Sequence, residues 1–522
     1  MTTAGDLWEQ APAVFQGTAR DRFRWPALTG YLHRAYWCWP ALLTLALGFY
    51  QIGRPELWRD ELASWTVAER PLGEMFATGR QIDGTMLAYY LVLHGWITVF
   101  GDSADAMRGL SVLAMAGAAI CVTLIGRRMA GPRAGQVAGF VFALVPSISR
   151  FAQEARGYAL QVLLATLATL LLLRALDQPL TRRWAAYGTA VAAVGYIDLV
   201  ALVLVTGHLA IVALTWRKNR DPRLLWFIPA VAAAIVACAP LIIVGSGQAE
   251  AQISWIVRPG LGLATFTSFG RNLCYSTPVA AALLILAVVA WVVNRRAAAL
   301  ATAVMLLPVA ALWAISQGTY SYFFPRYLLF AVAAWAILAG IAVSRFNAAF
   351  AVAAVLAIAL LGAADQGVIR EPGAHSWAGY PADTDRTYWN YADAASIIAR
   401  TGAGGAGIVY PTGITWSYLM IDQGVRYYLE QDGAPVPRQL FISETARQAN
   451  GLYAIPCEHP ASCAGNEPRI WIITVGRELN PWTALPREEA SPLRPRYHLV
   501  MTRHTQGLSI FLLQRNTPDA KP

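Results

Sequence analysis

Apolar runs of roughly 15–22 residues follow one another from Tyr36 to Ala363, separated by short basic loops, and ~20 such residues in an α-helix span the hydrocarbon core of a bilayer. Few water-soluble cores can bury that many long apolar segments. With 56% hydrophobic and 14% charged residues among 522, the chain predicts a polytopic α-helical membrane protein. The segment 1–35 is polar and carries Arg20, Arg22, Arg24 and Arg34. It predicts a cytoplasmic start with no cleavable signal.

The net charge of +10 raises the question of a nucleic-acid partner. Its distribution argues against one. From Asp365 onward there are 14 Lys/Arg against 15 Asp/Glu, so the excess lies in the apolar half. There it gathers in short loops: Arg127, Arg128 and Arg133; Arg174, Arg182 and Arg183; Arg217, Lys218, Arg220 and Arg223; Arg295 and Arg296; Arg345. Such clusters anchor loops on the cytoplasmic face. Threading them there gives about eleven crossings, over 36–52, 106–126, 134–152, 157–174, 184–198, 199–216, 224–244, 278–293, 297–315, 327–344 and 347–363. The N-terminus is then inside and the C-terminus outside. The apolar segment 85–100 breaks the parity, and reads as an interfacial helix of the first external loop, 53–105. The same parity puts Asp60, Asp83, Glu154, Arg156, Arg258, Arg271 and Arg326 on the external side.

From residue 366 the apolar runs shorten and alternate, while Gly, Pro and Asp increase. Helices are predicted over 388–400 and 415–429, strands over 407–410, 439–442 and 470–475, and a hairpin over 497–515 turning at Gln506-Gly507. Residues 366–522 therefore read as an extracytoplasmic α/β domain following the transmembrane domain 36–365. In an exported tail Cys457 and Cys463, six apart, suit a disulfide. A metal pair is the alternative, but only His459 lies nearby and no second ligand pair follows. The Gly-rich run 402–407 precedes a strand and lacks the Lys-Ser/Thr of a phosphate loop.

Several charged and aromatic elements recur in a definite order. Asp60-Glu61 follows the first apolar run. Asp83 then precedes Leu87-Ala88-Tyr89-Tyr90, followed by Phe100-Gly101-Asp102-Ser103, Arg108, Gly126-Arg127-Arg128 and Glu154-Ala155-Arg156-Gly157-Tyr158. Taken in order, they resemble the GT-C class of polyprenyl-phosphate-sugar glycosyltransferases, in the branch of protein O-mannosyltransferases and the aminoarabinose transferase of lipid A. The departure is Gly84-Thr85-Met86, where that family tends to have Pro-Pro. The resemblance implies a GT-C-like fold. It also implies inverting transfer of a sugar, mannose first, from a polyprenyl-phosphate donor to a hydroxyl on the outer face of the cell membrane. Protein, glycolipid and polysaccharide acceptors all remain open, as does a pentosyl (arabinofuranosyl) donor. A transporter or flippase of a lipid-linked sugar is the competing class. It should show inverted repeats, and none is apparent.

Such a transfer needs a base, positive charge for the departing phosphate, and a lipid groove. Asp60 is the candidate base, with Glu61 in reserve. The competing role for Asp60 is to cap the following helix. Glu154 and Arg156 sit at the end of a span, where an unpaired charge is costly. They serve either as an ordering ion pair, with each other or through Arg108, or as a second acid and a phosphate-binding Arg. Asp83, Tyr89 and Tyr158 are candidates to bind sugar or phosphate. The family's Arg-Tyr element is matched by Arg326-Tyr327, and an Arg fork suits phosphate oxygens. Arg258 and Arg271, in the external loop 245–277, are further candidates for that task. No acidic or His cluster calls for a metal, and no cofactor is required. A divalent ion shared by Asp60 and Glu154 is the less favoured route.

Overall fold

The helix Ala331–Val343 is apolar on every side, and all its residues but Trp335 are buried. A helix without a polar face belongs inside a bundle. The computed structural model describes residues 37–376, 388–402, 404–412 and 417–516. The segment 1–35 and the start of the predicted 415–429 helix fall outside them. The chain divides into two units: one is the chain up to Tyr50 with Gly109–Gln153 and Gly157–Gly367, the other Gln51–Arg108, Glu154–Arg156 and Val368–Pro522.

The first unit is a helical bundle of a multi-pass membrane protein. Helices fall on each of the eleven predicted segments, but that number of crossings is not matched by length. Among the described residues, six helices are long and apolar enough to span: Ala104–Ala130, Tyr158–Asp177, Leu199–Asn219, Pro222–Ile253, Arg295–Ile315 and Ala348–Val368. Two bent pairs bring the number to eight. Pro132–Leu144 and Pro146–Ala152 meet at 63°, where Pro146 cannot donate to the preceding turn. Leu263–Cys274 and Thr277–Val293 meet at 104°, with Tyr275 in left-handed backbone between them.

Small residues let the bundle close. Gly135 and Gly139 of the Pro132–Leu144 helix lie against Thr123, and Gly340 of Ala331–Val343 lies against the Ala134 carbonyl. Close backbone approach of this kind drives helix association where lipid offers no hydrophobic gradient.

The second unit joins the first loop to the tail. Its loop helices are Arg59–Ala68, Leu72–Gln81 and Leu87–Phe100. The last of these is the predicted interfacial segment, and its 14 residues rise only ~21 Å, short of the ~30 Å hydrocarbon core. The tail strands are β1 (Gly407–Val409), β2 (Arg438–Gln439), β3 (Ile442–Glu444), β4 (Ile455–Pro456), β5 (Arg469–Val475), β6 (Tyr497–Thr505) and β7 (Leu508–Arg515). Five of them form a sheet in the order β2-β1-β5-β7-β6, and β3 pairs with β4. Strand β1 runs parallel to both β2 and β5, while β5, β7 and β6 alternate antiparallel.

The crossover from β1 to β2 carries the helix Ile421–Gln431, as a parallel connection requires. Residues Ile470 to Ile473 of β5 are all buried, as expected of a strand covered on both faces. Ile470 and Ile472 share one face with Val409, Phe511 and Leu513 in an apolar core. Cys457 and Cys463 are joined in a disulfide, with Cα atoms 6.5 Å apart.

A methyl group on Gly340 would overlap the Ala134 carbonyl, whereas one on Gly95 meets nothing within 4 Å. Gly340→Ala is therefore expected to cost about 1–3 kcal/mol through overpacking, read as a lower melting temperature in detergent. Gly95→Ala should leave the melt unchanged or raise it slightly.

Candidate active site

The second unit is pinned by a buried ion pair. Glu61 and Arg108 are both fully buried. Arg108 donates from Nε to one Glu61 oxygen and from a terminal nitrogen to the other, each at 2.8 Å. Its remaining N–H groups donate to the carbonyls of Ile52 at 2.7 Å, Pro55 at 2.8 Å and Glu56 at 3.1 Å. Glu61 also accepts the Ala155 backbone N–H at 2.9 Å. Burial pushes the Glu61 carboxyl up, but Arg108, and to a smaller extent His375, outweigh it and hold the group well below the usual carboxylate range. A carboxylate committed in this way holds the loop, the helix and the 154–156 turn together.

Asp60 is the next residue back on the same helix. That helix is Arg59–Ala68 with Trp58 at the N-cap, so Asp60 lies inside the first turn and is not the capping residue. It is 6% exposed and accepts from Arg59 Nε and a terminal nitrogen at 3.1 and 2.9 Å.

Asp83 has φ 56°, ψ 26°, a left-handed conformation that Asp tolerates better than most residues. The bend brings its carboxylate to the Tyr90 hydroxyl, which donates at 2.7 Å. Tyr90 in turn accepts from Arg156 at 3.3 Å. The same Arg156 nitrogen lies 3.4 Å from both the Asp60 carbonyl and Ser64 Oγ. Glu154 accepts the Trp58 indole N–H at 3.2 Å. Tyr89 is buried with its ring 6.2 Å from that of Tyr90. Asp60, Asp83, Glu154 and Arg156 therefore gather around one helix.

Tail residues buttress that helix from within the same unit. Trp65 donates to Asp102 at 2.9 Å and meets the Tyr427 ring edge-on at 4.9 Å. Arg426 lies over Trp65 at 4.4 Å and pairs with Glu69. Buried Arg70 ties Thr78 at 2.7 Å to the Gly451 carbonyl at 2.8 Å.

Four of the predicted residues belong to the bundle. Arg326 is 6% exposed, and its guanidinium lies 5.4 Å from the Tyr158 ring centroid, 5.1 Å from Phe324 and 5.7 Å from Tyr327. Arg326 and Tyr158 are thus brought together. Arg258 is exposed and donates to the Thr319 carbonyl at 3.3 Å. Arg271 is half-buried on Leu263–Cys274.

Sequence reasoning missed Trp58, Tyr90 and Arg59 as partners of the acidic residues. It also offered Arg108 to Glu154, whereas Arg108 pairs with Glu61. Among the described residues, no three His, Cys, Asp or Glu side chains are grouped to hold a metal.

Removing the Glu61 charge leaves Arg108 buried and unpaired. Glu61→Gln is expected to destabilise the protein by about 3–5 kcal/mol, measured as a fall in melting temperature. Glu56 gives a second test. Burial pushes its carboxyl from 4.5 up to about 8, against hydrogen bonds from the Ala392 and Tyr391 backbone and with Asp393 adding to the rise. The folded chain holds that proton to a higher pH than the unfolded chain, so Glu56 makes stability fall as pH rises from 4.5 to about 8. Melting curves across this window should slope downward, and Glu56→Gln should flatten them.

Residues 84–244 match the family model described as dolichyl-phosphate-mannose-protein mannosyltransferase. Two solved structures of ArnT from Cupriavidus metallidurans share the fold. The apo form superposes with a TM-score of 0.58 at 15% identity, and the form bound to undecaprenyl phosphate with 0.58 at 14%. Each covers 93% of this chain and 98% of the other. No sequence among the curated proteins matches. The ordered motifs, the family model matched over residues 84–244 and the shared fold agree, and the chain is a multi-pass membrane protein with a GT-C-like fold.

Proposed function

We propose that this protein is a glycosyltransferase that moves mannose from a polyprenyl-phosphate carrier to a hydroxyl acceptor at the outer face of the cytoplasmic membrane, with inversion at the anomeric carbon. The observation that carries the reading is the gathering of Asp60, Glu154, Arg156 and the Asp83–Tyr90 pair around the Arg59–Ala68 helix. The mannosyl donor is favoured by the description of the matched family model. The polyprenyl carrier is favoured by the undecaprenyl phosphate bound to ArnT.

In this reading Asp60 takes the proton of the acceptor hydroxyl as its oxygen bonds to the anomeric carbon. The bond from that carbon to the phosphate oxygen breaks, and polyprenyl phosphate leaves with the electron pair. Arg59 orients Asp60. Glu61 stays outside the chemistry as the anchor of the site. Glu154 and Asp83 line the sugar side, with Tyr89 as a polar aromatic neighbour. An arginine stabilises the leaving phosphate, whose charge develops as the bond breaks; Arg156 of the second unit is one candidate, and Arg326 of the bundle, beside Tyr158, is the other. Arg258 and Arg271 act as outer basic residues on the donor's approach. The basic loops support a cytoplasmic N-terminus, and the disulfide supports an extracytoplasmic tail.

The test supplies purified protein in nanodiscs with radiolabelled polyprenyl-phosphate mannose, glucose or arabinose and membrane extract as acceptor. Mannose should be the sugar consumed. Asp60→Asn keeps the shape and removes the basic lone pair, so turnover should fall by at least ~10²-fold with donor binding and melting temperature retained. Near-normal turnover in that variant would eliminate Asp60 as the base, and consumption of another sugar would overturn the donor assignment.

A further inference from the structure

Within the bundle, one buried amide ties three elements together. Gln161, on the helix Tyr158–Asp177, is fully buried. Its amide nitrogen donates one N–H to the Asp198 carboxylate and the other to the Tyr327 carbonyl, each at 2.8 Å. Asp198 is itself buried, and stands where the helix Thr181–Ile197 ends and the turn Leu199–Val203 begins. Its other oxygen accepts the Val200 backbone N–H at 3.0 Å. Tyr327 lies in the short turn Pro325–Leu328 and directly follows Arg326.

Tyr158 and Gln161 are three residues apart and so share a face of their helix. The Tyr158 ring centroid lies 5.4 Å from the Arg326 guanidinium, and Gln161 holds the carbonyl of the next residue. The first turn of one helix therefore grips the Pro325–Leu328 turn twice, once at the arginine side chain and once at the backbone beside it.

The junction carries more polarity than packing needs. Both partners of the Gln161 nitrogen are acceptors, so the amide must turn its NH2 toward them. Its Oε1 then meets no donor among the described residues, and an unmet buried acceptor is destabilising. Capping the 199–203 turn uses only one Asp198 oxygen, while the second is directed to Gln161. Apolar residues of similar volume would fill such a junction without that cost. What they could not do is hold one carbonyl, and with it the Arg326 backbone, in a single orientation.

We propose that Gln161 and Asp198 are positioning residues for Arg326, aiming its guanidinium at the phosphate of the lipid-linked donor. The proposal rests on the transferase reading above, with Arg326 as its phosphate-binding arginine. An Arg fork meets phosphate oxygens through directed N–H groups, so a displacement of about 1 Å is enough to weaken the contact.

Two variants loosen the clamp in different ways. Asp198→Asn retains an oxygen for Val200 but sets an NH2 against that of Gln161. Turning the Gln161 amide over to relieve this conflict sets its oxygen against the Tyr327 carbonyl. Gln161→Met keeps the length of the side chain and removes both donors. Undecaprenyl phosphate binding is measured on the full chain in nanodiscs, for each variant alone and combined with Arg326→Ala. Arg326→Ala should weaken binding at least ~10-fold. Asp198→Asn and Gln161→Met should each weaken it at least ~3-fold, and neither should weaken it further once Arg326 is gone. A purely structural role would act equally in both backgrounds. If one clamp variant melts early, the other supplies the comparison. Binding unmoved by the clamp variants, or weakened as much without Arg326 as with it, overturns the proposal. Binding unmoved by Arg326→Ala overturns the assignment of Arg326, and the role of its clamp with it, while leaving Asp60 and Arg156 in place.

Discussion

The ion pair of Glu61 and Arg108 is the constraint on which the second unit depends. Two charges taken fully out of water cost several kcal/mol each, and they are tolerated only when nearly every lone pair and N–H finds a partner. Here they do. The guanidinium closes on three carbonyls of the loop leading into the Arg59–Ala68 helix, and the carboxylate takes the backbone N–H of Ala155. Ala155 separates Glu154 from Arg156. One buried pair therefore fixes the start of the helix bearing Asp60 and the turn bearing the second acid and the second arginine.

Around that fixed point neutral groups link the charged side chains. The Tyr90 hydroxyl lies between Arg156 and Asp83, and the Trp58 indole N–H donates to Glu154. Neutral donors of this kind orient charged groups, and a preorganised site needs that orientation before substrate arrives. In the bundle, Arg326 is bordered by the Tyr158, Phe324 and Tyr327 rings, whose faces attract a guanidinium.

The chemical types at the site were legible in the sequence because charge at the end of an apolar run is costly and conspicuous. Asp60, Glu154, Arg156 and Arg326 stood out for that reason. Their partners were not legible. Neighbours on a helix point about 100° apart, so nothing in Tyr89-Tyr90 says which hydroxyl faces Asp83, and the structure selects Tyr90. Arg108 could have served either acid, and only the fold brings it to Glu61. The tail hairpin was readable to within a residue, since Gly507 supplies the positive φ of its turn. The strand predicted over 439–442 is divided into β2 and β3 by left-handed Phe441, which no pattern of apolar residues announces. Hydropathy does not separate a helix buried in protein from one facing lipid, since Ala331–Val343 is buried and as apolar as a lipid-facing span.

The division of the second unit among three stretches of chain sets an order of events during synthesis. The Arg59–Ala68 helix emerges early and the 154–156 turn follows, but the buttress on Trp65 and Glu69 comes from Tyr427 and Arg426, far along the chain. Contacts so distant in sequence form late, after the loop entropy between them has been overcome. The Arg59–Ala68 helix, already anchored by Glu61 and Arg108, therefore lacks this buttress until the residues around 426–427 have emerged and folded. A product ending before them would keep every membrane helix and the Glu61–Arg108 anchor but lose the contacts on Trp65 and Glu69, so completion of the second unit waits on its tail.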